Sequence, residues 1–218
     1  MSGNTPRFPD QLQRILLPAY RPCPAFGGAC REMRWDPSKG HVPRGNCGAT
    51  GDLSEIELVL VTAEPGDPHP AERHDDGTDE ASYLRSAYLY AHTCFVEGTD
   101  QFHRNIRLIL NLCWPGLSLD QQTRRTLLLD SVLCSAKTEG GQVPREVEVE
   151  CRGRYLEPLL RAVPRATVVA LGVKAFSRLN GIAGVIKAHS VAPPGCNYKP
   201  ARPSWEAAAA EVRRRARQ

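Results

Sequence analysis

Apolar positions along the 218-residue chain fall into two kinds of run. Some are short and bounded by turn residues. Leu58 to Val61, Leu127 to Cys134, Ala166 to Leu171 and Gly184 to Ala188 are of this kind, which is the pattern of strands covered on both faces in a parallel sheet. Others recur at helical spacing. Glu80 to His92 carries Tyr83, Leu84, Ala87, Tyr88 and Ala91 on one face, and Asn105 to Cys113 carries Ile106, Ile109, Leu110 and Cys113. Ser118 with Gln121 forms a capping box for a further short helix. Pro144 suits the first turn of a helix that continues through Cys151, Tyr155, Leu156 and Leu159, with Pro158 inside it as a kink. Val173 to Asn180 reads as a helix closed by Gly181, and Ser204 as the cap of a last helix with a basic end, Arg213 to Arg217. Strands alternating with helices predict a three-layer α/β/α fold around a central four-stranded, mostly parallel sheet.

Residues 1–55 break this pattern. They are rich in Gly, Pro and Arg, with only a short apolar patch at Leu12, Ile15, Leu16 and Leu17. The expectation is a loop-rich lobe held by something other than a core of its own, joined to an α/β core over 56–218 in a single domain. Between strand and helix, His69 to Asp79 is a polar loop, and Phe95 to His103 is irregular.

Composition narrows the partner and the compartment. The formal net charge of +4 is modest and compatible with a polyanionic partner without requiring one. No apolar run approaches the ~20 residues that span a membrane, and Met1 to Arg7 lacks a signal-peptide pattern, so a soluble, cytoplasmic protein is expected. Eight cysteines are many for such a chain, and a reducing compartment argues against a disulfide framework. A cluster, a zinc site and buried free thiols are the three readings left open.

The stretch most suggestive of chemistry is Glu57 to Pro68. An aliphatic strand ends abruptly in Glu64, and Pro65, Gly66 and Pro68 then turn the chain. A carboxylate placed this way stands at the C-terminal edge of the sheet, where open α/β folds bind ligands; Asp67 lies close by. The plainer alternative is a solvated acid in an ordinary turn. No Gly-rich phosphate loop follows any strand, which removes support for a nucleotide-handling enzyme.

Three segments in order resemble the uracil-DNA glycosylase superfamily, most closely its iron–sulfur families 4 and 5, over about residues 23–206. The first is Ala63-Glu64-Pro65-Gly66, similar to the water-activating motif. Here the acid directly precedes the proline, as in family 1, whereas family 4 places it two residues earlier. The second runs from Ser131 to Leu179. It holds Val132-Leu133-Cys134, a polar loop with Pro144, the helix led by Cys151, and Val168 to Phe176 as a strand-Leu-Gly-helix unit. The third, Ala188-His189-Ser190-Val191-Ala192-Pro193-Pro194, is similar to the His-Pro-Ser loop after the last strand.

The resemblance implies roles. Glu64, with Asp67 in reserve, would stabilise the sugar cation and activate water, and His189 would stabilise the departing base anion. Ala63, Pro65, Gly66 and Ser131 would shape the pocket, and Phe102 would stack on the flipped base. Asp130 occupies the position where the family has an Asn that reads the uracil edge. An ionised Asp can only accept hydrogen bonds there, so Asp130 is displaced or protonated, or a backbone N–H does the reading, or the preferred base is not plain uracil. Lys137, Lys187, Lys199 and Arg202 would meet phosphates, with Pro193, Pro194 and Gly195 as a wedge into the duplex. Cys134 and Cys151 match two ligands of a structural [4Fe–4S] cluster, and Cys23 and Cys30 are the nearest equivalents of the other two; zinc is the alternative. The implied function is a monomeric, nucleoid-associated enzyme that hydrolyses uracil from DNA. The alternatives are a DNA-binding relative that holds damaged or abasic sites without efficient turnover, and a glycosylase for another deaminated base.

Overall fold

The computed structural model describes residues 8–74 and 77–216. The Met1 to Arg7 segment, Asp75 and Asp76 of the polar loop, and Arg217 of the basic end therefore lie outside the described residues. Strands β1 (Cys47–Gly48), β2 (Leu58–Thr62), β3 (Thr126–Asp130), β4 (Thr167–Leu171) and β5 (Ile186–Ala188) form one sheet in the order β1-β3-β2-β4-β5. All neighbours run parallel except β1, which pairs antiparallel with β3. The three-layer α/β/α expectation holds, with a fifth strand added. Two residues of β1, one of them glycine, are too short to leave a periodic signal.

Alternation along the strands divides the interior. Leu58, Leu60, Leu128, Val169 and Leu171 face one side, where α3 (Gln101–Cys113) and α8 (Ala201–Arg215) cover them through Ile106, Ile109, Leu110, Trp205, Ala208 and Val212. Val59, Val61, Leu127, Leu129 and Ala170 face the other. There they meet α1 (Asp10–Leu16), α2 (Glu80–Glu97), α5 (Arg145–Cys151), α6 (Glu157–Ala162) and α7 (Val173–Arg178). Leu12, Leu16, Tyr20, Cys23, Cys30, Met33 and Val42 from the loop-rich stretch belong to this same core. The N-terminal lobe is thus packed on the sheet and is not held apart from a core, a correction to the sequence reading.

Several boundaries also move. α2 runs five residues beyond His92, to Glu97, and Asp100 caps α3, so the supposedly irregular stretch is a short joint at Gly98, whose φ is +65°. The second core strand stops at Asp130; Val132 to Cys134 continue as buried loop. Pro158 is accommodated because Arg152–Leu156 forms a π-helical turn and α6 restarts with the proline in its first turn. The capping box of α4 (Leu119–Arg124) is formed as expected by Ser118 and Gln121. Ser204 does not cap α8: it lies in the first turn, donates to Ala201 O at 2.6 Å and accepts from the His189 N–H at 2.9 Å. Among the described residues no helix is long and apolar enough to cross a membrane.

Candidate functional site

A cavity of about 540 Å³ opens at the C-terminal edge of the parallel strands. The end of β2 and the turn after it supply Thr62 through Asp67, the end of β3 supplies Asp130, and the loop after β5 supplies Ser190 through Pro193. The joint between α2 and α3 closes it with Phe95, Asp100, Gln101, Phe102 and His103. Ala63, Glu64, Pro65, Gly66, Asp67, Phe102, Asp130 and Pro193 are therefore gathered on one cavity from four separate segments.

The turn after β2 is fixed by side chains from elsewhere. The Gly66 carbonyl accepts from the Arg44 guanidinium and from Ser135 Oγ at 3.0 Å, and the Asp67 N–H donates to Glu139 at 3.1 Å. Arg44 is itself held by the buried Glu72 at 3.0 Å, and Glu72 by His74 at 3.1 Å. Arg34 bridges Asp67 at 2.8 Å to the Lys137 carbonyl at 3.0 Å.

Glu64 is the most tightly engaged of the candidates. One carboxylate oxygen accepts from Lys174 Nζ and the other from Arg178, each at 2.6 Å. Both cations come from α7, in the Leu-Gly-helix unit after β4. The Arg178 side chain is 4% exposed and also reaches Glu148 at 2.7 Å and Ser131 Oγ at 3.1 Å. Ser131 in turn donates to the Ala63 carbonyl at 2.6 Å, so it supports the turn from behind and does not line the cavity.

Asp130 closes the floor. It is buried, it stands opposite Thr62 in the β2–β3 register, and it pairs with the Thr62 hydroxyl. Burial pushes its carboxyl up to about 7, against the Thr62 hydrogen bond and the more distant Arg44 and Arg178, which pull it down.

Two expected residues are placed otherwise. His189 does not line the cavity; its backbone is pinned by Ser204 and by the Trp205 indole N–H at 2.9 Å, while the residues after it form the wall. The histidine that does line it is His103. Its Nδ1 lies 2.8 Å from Asp100 Oδ1, and its ring stands edge-on to Phe95 and Phe102 at 4.8 and 5.1 Å. Sequence offered one signal for this pair: Asp100 three residues before His103 is an N-cap spacing. At Asp100 burial opposes ionisation, but the hydrogen bonds from His103 outweigh it and hold the carboxyl below its ordinary value.

The expected phosphate contacts sit outside the cavity. Lys137 is exposed and paired with Glu32 at 2.7 Å, and Lys187 is exposed with its ammonium 5.2 Å from the Phe176 ring centroid. Pro194 and Gly195 continue the loop from Pro193, with a cis Pro193–Pro194 bond; a Cβ on Gly195 would stand 2.8 Å from that of Ser190.

Cys23, Cys30, Cys134 and Cys151, which enter from four places in the sequence, are all buried and close enough to act on one another. Burial, followed by neighbouring thiols, pushes Cys30 up to about 11 and Cys134 well above its ordinary value. Cys151 rises to about 12, again mainly through burial. Cys23 Sγ lies 3.1 Å from the Tyr155 hydroxyl. Among the described residues, no three His, Cys, Asp or Glu side chains are gathered as a single metal ion requires. The sequence matches no protein-family model and no curated protein.

Proposed function

We propose that the protein is a DNA glycosylase that draws an extrahelical deaminated base, uracil foremost, into the cavity and hydrolyses its N-glycosidic bond to leave an abasic site. The observation that carries this reading is the convergence on one cavity of the turn after β2, the end of β3 and the loop after β5, with Phe102 beside them. The turn after β2 and the loop after β5 are two of the three segments that carry the glycosylase resemblance, and Asp130 at the end of β3 directly precedes the other one.

In this reading Phe102 offers an aromatic face to the flipped base. Glu64, held in one orientation by Lys174 and Arg178, places negative charge by the sugar as it gains oxocarbenium character. His103, oriented by Asp100, offers an imidazole to the departing anion in place of His189. The exposed Lys187 and the Pro193 to Gly195 loop face DNA, and one chain supplies the whole site, consistent with a monomer acting at the nucleoid.

Four thiols with no imidazole or carboxylate among them are a soft donor set of the kind that holds a [4Fe–4S] cluster, with zinc as the alternative. Cys23, Cys30, Cys134 and Cys151 would hold it. When bound, it acts as a structural staple between the N-terminal stretch and the α/β layers.

One observation favours a second reading. Each carboxylate oxygen of Glu64 is engaged by a cation, which suits a protein that grips a damaged or abasic site without efficient turnover. Excision by anaerobically purified protein on matched oligonucleotides containing uracil, hypoxanthine, xanthine or an abasic site separates the two. Base release supports the glycosylase; tight abasic-site binding with no release from any substrate overturns it in favour of the binding protein.

A further inference from the structure

The charges around Glu64 balance, and that balance limits what Glu64 can do. Two carboxylates, Glu64 and Glu148, meet two cations, Lys174 and Arg178, so the four groups in contact sum to zero. A carboxylate stabilises a developing sugar cation best when its own charge is not already cancelled. With one cation fewer, the group would carry a net charge of minus one.

The two cations are unequally held. The Arg178 side chain is 4% exposed and divides its donors among Glu64, Glu148 and Ser131 Oγ. Pulling it away would leave Glu64, whose side chain is 7% exposed, without its buried partner. The Lys174 side chain is 46% exposed, and among the described residues its other partner is the Gly141 carbonyl, at 3.2 Å. Its ammonium is a point charge on a flexible stem, in a half-exposed pair of the kind that solvent and salt weaken. Lys174 is therefore the cation that an outside anion can draw off. A second exposed lysine stands on the same flank: the Lys187 ammonium lies over the ring of Phe176, two residues along α7 from Lys174.

We propose that Lys174 is a removable counter-ion for Glu64, released when a phosphate of a bound DNA strand draws its ammonium outward. In the free protein Lys174 closes one oxygen of Glu64. With the strand in place, Lys174 turns to the phosphate while Arg178 keeps the other oxygen and with it the orientation. The clamp then gains one unit of negative charge beside the sugar. Lys174 is a positioning residue: it acts through Glu64 and touches neither base nor sugar. This inference rests on the reading of the cavity as a pocket for a DNA nucleotide, but it does not require base release.

The test uses the full chain and two readouts on a single-stranded oligonucleotide carrying a stable abasic-site analogue. Lys174→Met keeps the stem and removes the charge. It should flatten the slope of log affinity against log salt by about 0.7, one phosphate contact on a single strand, and Lys174→Arg should restore it. In protein with 13C-labelled glutamate, the Glu64 carboxyl signal, identified by its loss in Glu64→Gln, should move on adding the oligonucleotide toward its position in free Lys174→Met. An unchanged salt slope in Lys174→Met, or a Glu64 signal that the oligonucleotide leaves in place, overturns the inference. A tenfold or greater fall in single-turnover uracil excision by Lys174→Met does so too, because Glu64 would then need its lysine. The expected slope and shift with no base released from any substrate leave the inference standing and remove the glycosylase activity instead.

Discussion

The four thiols and the Glu64 clamp both set polar side chains into the interior, yet their charges are handled in opposite ways. Around Glu64 every charge has its partner inside the chain: two carboxylates, Glu64 and Glu148, meet two cations, Lys174 and Arg178, at 2.6–2.7 Å. Around the cysteines the protein supplies burial and mutual repulsion, both of which oppose the thiolate form. A group satisfied from within holds the fold in place. Left to themselves the buried thiols stay neutral; in the reading proposed above, a cluster would turn them into thiolates.

The contrast can be broken from either side, and the largest effect is expected at the thiols. Replacing Cys134 or Cys151 with Ser should abolish the visible absorbance of the anaerobically purified protein and sharply lower its melting temperature, while Cys113→Ala should keep the colour. Equal colour in all three would detach the four thiols from any cluster. Next comes the clamp. Arg178→Met leaves two carboxylates without their shared buried cation and should cost about 3–5 kcal/mol in chemical denaturation; a loss below about 1 kcal/mol would show that Glu64 and Glu148 relax to solvent.

Asp130 gives a comparable effect of opposite character. Its folded value of about 7 lies above the unfolded carboxylate value, so its stabilising contribution is full at low pH and is lost as pH rises through that window. On the order of 4 kcal/mol is at stake between about pH 4 and pH 8. Urea midpoints should therefore fall across that range in the wild type and much less in Asp130→Asn. A smaller effect, read as rate, separates the histidines: His103→Asn should lower single-turnover excision by about 10²-fold, and His189→Asn far less. If the order is reversed, the loop after β5 moves into the cavity when DNA binds. Smallest is Lys137→Ala, whose exposed pair with Glu32 should change stability by less than about 1 kcal/mol.

What sequence revealed follows the range over which each signal acts. The aliphatic runs of β2 and β4 and the capping box at Ser118 are local, and they appear where expected. The convergence of Ala63 to Asp67 with Asp130 was legible because strand ends in a parallel sheet share an edge. The clamp was not: nothing in the spacing of Lys174 and Arg178 says that α7 brings them back more than a hundred residues to Glu64. The same holds for His103, which sat in a stretch that lacked periodicity because a helix ends, turns at Gly98 and restarts within it. His189 drew attention by motif, although its backbone is what the fold uses.

The shape of the sheet has a consequence for how the molecule meets its own copies. Its three long strands of five residues are central, while the two margins are β1 with two residues and β5 with three. An exposed margin is a template on which another chain can add a strand, and the length of that template sets how firmly it can hold. With margins this short, a visiting strand finds only a few backbone groups in register, so the layer that carries the cavity is protected by geometry against edge-to-edge growth.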